Sequence, residues 1–166
     1  MSAEAAAPAP GKLHRAARWY AAHGWPVFAC LPRDKRPATE HGLHDASRDT
    51  SAIDAWWTRQ PKANVGVPTG TALGSFVLDI DGPEGEASLA ALEQEHGPLP
   101  ATLEQKTGRG RHLFFLMPNS GDVRSSVSQL GPGLDIRGTG GYVVVAPSIH
   151  PSGVAAATTT HSPRRH

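Results

Sequence analysis

The sequence predicts an α+β fold with a largely antiparallel or mixed sheet. Three observations carry that reading. Helical and strand periods are interspersed along the chain, short apolar runs are bounded by glycine and proline, and two hairpin-like patterns crowd the second half. Gly 18 and Pro 15 in a chain of 166 residues agree with a single domain rich in turns.

Residues 1–11 are Ala/Pro-rich and lack the basic start and apolar core of a secretory signal, so they read as a disordered lead. Residues 12–23 read as a helix. Leu13, Ala16, Ala17 and Tyr20 share one face and Gly24 is a natural stop. Trp25 to Leu31 is a short apolar run, read as a buried strand. A second helix is expected from Ala52 to Gln60, with Ser51 and Asp54 as a capping box, Ile53, Trp56 and Trp57 as its buried stripe, and Pro61 as its end. Asn64 to Val67 and Ser75 to Ile80 read as strands, and Glu86 to His96 as a third helix ending at Gly97-Pro98.

Thr102 to Lys106 and Arg111 to Met117 read as a hairpin around Gly108-Arg109-Gly110. Residues 118–133 read as loop, and Leu134 to Arg137 with Tyr142 to Ala146 as a second hairpin around Gly-Thr-Gly-Gly. Residues 154–166 show no helix or strand period and read as a disordered tail, which leaves 12–153 as the folded domain.

Lys+Arg 16 against Asp+Glu 15 gives a net charge of +1, which excludes a polycation that binds by bulk charge. The charge is nonetheless uneven. Residues 51–100 carry 2 basic and 7 acidic side chains, while 101–166 carry 7 and 3. An acidic middle with basic flanks suits carboxylates that hold cations and arginines that hold phosphates, and equally a solvated surface. The single cysteine, Cys30, allows neither an internal disulfide nor a cysteine-based zinc cluster, and suits a reducing cytoplasm. No apolar run is long enough to span a bilayer, so no membrane partner is expected. GxxxxGK[ST] is absent, and no GxGxxG follows a strand.

Asp79 and Asp81 end the strand FVLDID. Side chains two apart on a strand project together, so Val77, Asp79 and Asp81 share one face and Phe76, Leu78 and Ile80 the other. Two neighbouring carboxylates invite a hard divalent cation; a strand end dipping into solvent explains the pair as well. Asp135, in Leu134-Asp135-Ile136-Arg137, adds a third carboxylate beside an arginine and a glycine-rich turn. Three carboxylates match the composition of a two-metal phosphoryl-transfer site. Arg137 fits either a triphosphate or a plain ion pair with Asp135. Lys106, Arg109, Arg111 and His112 surround a glycine turn whose backbone N–H groups can approach a phosphate.

With these residues in view, the sequence resembles the N-terminal domain of bifunctional DNA primase/polymerases (prim-pol), within the archaeo-eukaryotic primase superfamily. The resemblance runs from about Ala17 to Gly153. It rests on GWPVF at 24–28, KRP at 35–37, HGLHDAS at 41–47, AWW at 55–57, NVGVPTG at 64–70, VLDIDG at 77–82, TGRGRHLFF at 107–115 and LDIRGTGGYVVVAPSIHPSG at 134–153, all in family order. It implies a catalytic sheet related to the RNA-recognition motif, flanked by helices, and template-directed nucleotidyl transfer in replication of a chromosome, plasmid or phage-like element.

By the same resemblance, Asp79, Asp81 and Asp135 are the catalytic acids and hold two Mg²⁺ or Mn²⁺ ions. His112 matches the family histidine that contacts the triphosphate and Arg137 stands at the family's DxRG position; Arg111, Arg137 and Lys35 are expected, from their charge, to help neutralise the triphosphate. The implied partners are a single-stranded DNA template, nucleoside triphosphates and a separate replicative helicase. The sequence departs from the family pattern in three ways. Gly110 stands where a serine or small residue usually opens the second motif, the zinc-binding insertion of some relatives is absent, and the tail replaces a Tyr/Trp-containing strand, so a truncated C-terminal end is expected. Two other readings stay open. One is a catalytically degenerate single-stranded DNA-binding module; the other is a DxD-type glycosyltransferase, which leaves Asp135 and HGLHDAS unexplained.

Overall fold

A computed structural model describes residue 6 and residues 8–163. The expected α+β class holds: three α-helices stand with two sheets, and every strand pairing between named strands is antiparallel. The lead expected over 1–11 falls mostly outside the described residues, and residues 8–11 carry no helix or strand. Among the described residues, no helix is long and apolar enough to cross a membrane.

Helix α1, Lys12–Ala22, buries His14, Ala17 and Tyr20. After it comes strand β1, Phe28–Cys30. A 3-10 turn, Gly42–Asp45, leads to helix α2, Thr50–Arg59. The capping box expected at Ser51 and Asp54 is not the one used. Asp49 caps α2 by accepting from the Ser51 N–H at 3.1 Å, which frees Asp54 for another task. Its carboxylate takes the His14 Nε2 at 2.7 Å and both Arg18 donors at 2.7 and 2.8 Å, tying α2 to α1.

Strand β2, Asn64–Pro68, is buried throughout. Strand β3, Ser75–Asp81, runs straight into helix α3, Gly82–His96, so that helix starts four positions earlier than its periodicity suggests. The switch is made at Gly82, whose φ of +58° is open to glycine, and Pro83 fits the first turn. Strands β4 (Thr102–Lys106), β5 (Gly110–Leu116), β6 (Ser126–Val127), β7 (Leu134–Arg137), β8 (Tyr142–Val144) and β9 (Ala157–His161) complete the chain.

The larger sheet has the order β6-β7-β3-β5-β4-β9, and the smaller one β1-β2-β8. Two expectations are corrected here. First, β7 and β8 do not form a hairpin. β7 pairs with β3, and β8 crosses to pair with β2. The glycine turn between them is held open from outside: Thr69 donates its hydroxyl to the Gly138 carbonyl at 2.7 Å and its N–H to the Gly141 carbonyl at 2.9 Å. Second, the tail is not wholly disordered. Ala157–His161 adds to β4 as an edge strand. Its Ala-Thr-Thr-Thr-His run has no apolar alternation to announce it; its pairing comes from the backbone ladder and from β-branched threonines.

Two apolar clusters lie on opposite faces of the larger sheet. Leu78, Ile80, Leu113 and Leu134 pack on one face against Leu89 of α3. Val77 and Phe114 pack on the other with Ile53, Trp57, Val65, Val67 and Val143, from α2 and the smaller sheet. The alternation read along β3 is therefore correct, but the acidic face is also covered at its Val77 end. Only its far end opens into space.

Candidate active site

At that far end three adjacent strands present polar side chains to the same face. Asp79 stands in the middle on β3, directly opposite His112 of β5 and Asp135 of β7. The His112 Nε2 lies 3.3 Å from Asp79 Oδ1. A single guanidinium nitrogen, Arg137 Nη2, lies 3.3 Å from Asp79 Oδ2 and 3.1 Å from Asp135 Oδ2. Asp135 Oδ1 accepts the Ser128 N–H at 3.0 Å. Burial alone would raise the Asp79 carboxyl. The hydrogen bond and charge of His112, then the Arg137 guanidinium, outweigh it and hold the group below the ordinary carboxylate range.

Asp81 follows one pleat further on, at the end of β3, and makes no capping bond to α3. Its cross-strand neighbour is Gly110. A Cβ at Gly110 would collide with the Ile80 carbonyl, so the strands approach too closely there for serine. The turn is pinned by Gly82 N–H to the Arg109 carbonyl at 3.0 Å.

These residues border a cavity of about 630 Å³ between the two sheets. Asp79, Asp81, His112 and Arg137 line it from the larger sheet, and Asn64, Tyr142 and Val143 from the smaller. Lys35, Arg109 and His150 stand on its rim loops. Asn64 is buried and clamps two of those loops. Its Nδ2 donates to the Asp34 and Ile149 carbonyls at 3.0 and 2.8 Å, and its Oδ1 accepts the Ile149 N–H at 2.9 Å. Asp34 itself is drawn down to about 2 by hydrogen bonds from the exposed Arg36 side chain and backbone. The 107–109 turn closes against the His150 ring.

A family model described as the N-terminal domain of bifunctional DNA primase/polymerases matches residues 17–165. The chain belongs to the prim-pol family. No curated protein gives a significant match. Membership makes this a replication-associated primase/polymerase domain, whose substrates as a class are DNA and nucleotides.

Within the prim-pol domain, the residues expected from sequence separate into three groups. Asp79, Asp81, His112 and Arg137 share one face and one cavity, and Asp135 joins them through Arg137. Lys35 reaches the rim from a loop, where its carbonyl accepts the Tyr142 hydroxyl at 3.1 Å. Arg111 is not with them. It neighbours Ile80 on the α3 face, where Glu86 takes its guanidinium at 2.7 and 2.9 Å. Residues 111 and 112 are consecutive on a strand and so point to opposite faces. Arg109, in the same basic turn, lines the cavity instead.

Among the described residues, no three acid, imidazole or thiol side chains are drawn together as a ready metal cage. Arg137 takes up the space between two of the carboxylates. The residues that sequence reasoning missed are Asn64, Asp34 and His150. Only Asn64 carried a signal, as a polar residue opening an otherwise apolar strand.

Proposed function

We propose that the cavity carries out template-directed nucleotidyl transfer. A 3′-hydroxyl oxygen attacks the α-phosphorus of a nucleoside triphosphate. The bond to the β-phosphate oxygen breaks, pyrophosphate leaves, and the hydroxyl proton passes to solvent. The observation that carries this reading is the row His112–Asp79–Asp135 across three strands, beside a cavity rimmed by Lys35 and Arg109.

The donor chemistry suits a hard divalent ion. All three acids offer oxygen, Asp79 is held ionised, and Asp79 and Asp135 already share one cation in Arg137. Asp79, Asp81 and Asp135 would hold Mg²⁺ or Mn²⁺, which when bound lowers the pKa of the attacking hydroxyl and offsets charge on the leaving pyrophosphate. His112 and Arg109 meet the triphosphate, Lys35 adds charge at the rim, and Arg137 turns from the carboxylates to the phosphates. Arg111 has no part in it.

The test is synthesis on single-stranded DNA, primed and unprimed, with either metal and with ribo- or deoxynucleotides. Wild-type protein is expected to incorporate nucleotide. Asp79→Asn is expected to lose on the order of a hundred-fold or more, the loss seen when one well-placed electrostatic group is removed, while its circular dichroism and DNA binding stay unchanged. Full incorporation by Asp79→Asn overturns the assignment. Salt-sensitive DNA binding by wild-type protein without any incorporation favours the non-catalytic binding module.

A further inference from the structure

A second concavity of about 420 Å³ lies between α1 and β9, lined by Lys12, Ala16, Trp19, Ala146, Pro147 and Thr158 among others. Three features set it apart from an ordinary surface dip. Trp19 is 57 % exposed, the largest aromatic on display. Its ring is held rather than loose: His23 stacks on it with centroids 3.9 Å apart at 25°, and the His23 Nδ1 meets the Trp19 carbonyl at 2.7 Å. Among the described residues, the charged side chain that lines the groove is a lysine, and no carboxylate lines it.

The groove also lies next to the cavity, since Ala156 borders both. Lys12, Arg15 and Trp19 follow one another at helical spacing and share a face of α1. A rigid exposed aromatic beside a lysine, with a second cation on the same helix face and a nucleotide-sized space next to it, matches how single-stranded nucleic acid is held: bases stack on the ring and phosphates lie at the cations. An acidic peptide would use the cations but has no use for a flat ring fixed by a second ring. An apolar helix would leave Lys12 and Arg15 unmatched.

We propose that this groove binds the single-stranded template on its way to the cavity, with a base stacked on Trp19 and a phosphate at Lys12. The inference rests on the cavity being the nucleotidyl-transfer site. It assigns a path that the three-acid row does not.

The test is fluorescence anisotropy of a labelled oligo-deoxythymidine of about 15 nucleotides, within the range of site sizes for single-strand binders, on the full chain. Trp19→Ala is expected to bind about tenfold more weakly, the scale of one lost base stack. Trp19→Phe is expected to recover most of the affinity. Lys12→Gln is expected to lower the salt dependence by about one phosphate contact. Circular dichroism checks that each variant is folded.

Wild-type affinity in Trp19→Ala overturns the inference, as does failure of wild-type protein to bind the oligonucleotide; a groove covered by a protein partner or by further chain gives the first of these results. Nucleoside triphosphate binding, measured separately by calorimetry with Mn²⁺, distinguishes the two proposals. If wild-type protein binds the oligonucleotide through Trp19 but binds no nucleotide, the reading of the cavity fails while the groove remains a nucleic-acid site. If nucleotide binds and Trp19→Ala has no effect on the oligonucleotide, the groove fails alone.

Discussion

The two faces of the larger sheet carry charged residues of the same kinds and treat them in opposite ways. On the α3 face, Arg111 is satisfied: Glu86 takes it twice, Glu104 lies 3.7 Å away and His161 Nδ1 3.2 Å away. On the other face the acids border an open cavity instead of a helix. One guanidinium, Arg137, is shared by Asp79 and Asp135, and Asp81 adds a further carboxylate at the same cavity. An arginine whose acids are provided by its own fold holds the fold together. Acids beside an open space, two of them sharing a single guanidinium nitrogen, are arranged for a cation or a cation-bearing ligand still to come.

The sharpest way to break this contrast is to remove the shared cation. Arg137→Met leaves Asp79 and Asp135 facing each other with less compensation, and is expected to cost about 1–3 kcal/mol of stability in metal-free buffer. Millimolar Mn²⁺ is expected to return most of that loss, read as a larger rise in Tm for the variant than for wild type. A Tm that ignores the metal would remove the divalent ion from these carboxylates.

Arg111→Gln tests the other face and should do less. Arg111 is largely covered, but its main partner Glu86 is half open to solvent, so a loss of about 1 kcal/mol is expected in chemical denaturation, with nucleotide affinity unchanged in calorimetry. Weakened nucleotide binding would bring Arg111 back to the site and end the distinction between the faces.

Acid titration is expected to give the smallest effect, and it lies outside both faces. Asp54 is drawn down to about 2, first by its hydrogen bond from Arg18 and then by that from His14. A carboxyl held below its unfolded value stabilises the fold above that value, near 4, and ceases to do so as pH falls toward its folded value. The Tm of wild type should therefore fall between about pH 4 and pH 2 a little more steeply than that of Asp54→Asn. The difference is small because the group is solvent-exposed; identical slopes would show that the α1–α2 link carries no measurable energy.

Much of the site could be read in advance because strand alternation is a local rule. Asp79 and Asp81 sit two apart, and the pattern Leu-Asp-Ile-Arg puts Asp135 and Arg137 on one side. The same rule could have excluded Arg111 once His112 was chosen. Register between distant strands is another matter. That Asp135 lies opposite Asp79 follows from the pairing of β7 with β3, which depends on long-range packing. The crossing of β7 to β8 was missed because turn chemistry reports a reversal, while the sheet that receives the next strand is chosen by partners such as Thr69, far away in sequence. Strand β9 was missed because its Ala-Thr-Thr-Thr-His run shows no apolar alternation.

Asn64 has a consequence of its own. One carboxamide fastens the loop that bears Asp34 and Lys35 to the loop that bears Ile149 and His150. The two lips of the cleft are thus tied together, with a second tie from the Arg33 guanidinium to the Pro151 carbonyl at 2.9 Å, so a visitor pressing on either lip pushes both. Whatever enters meets a cup already shaped, and spends little ordering it on arrival.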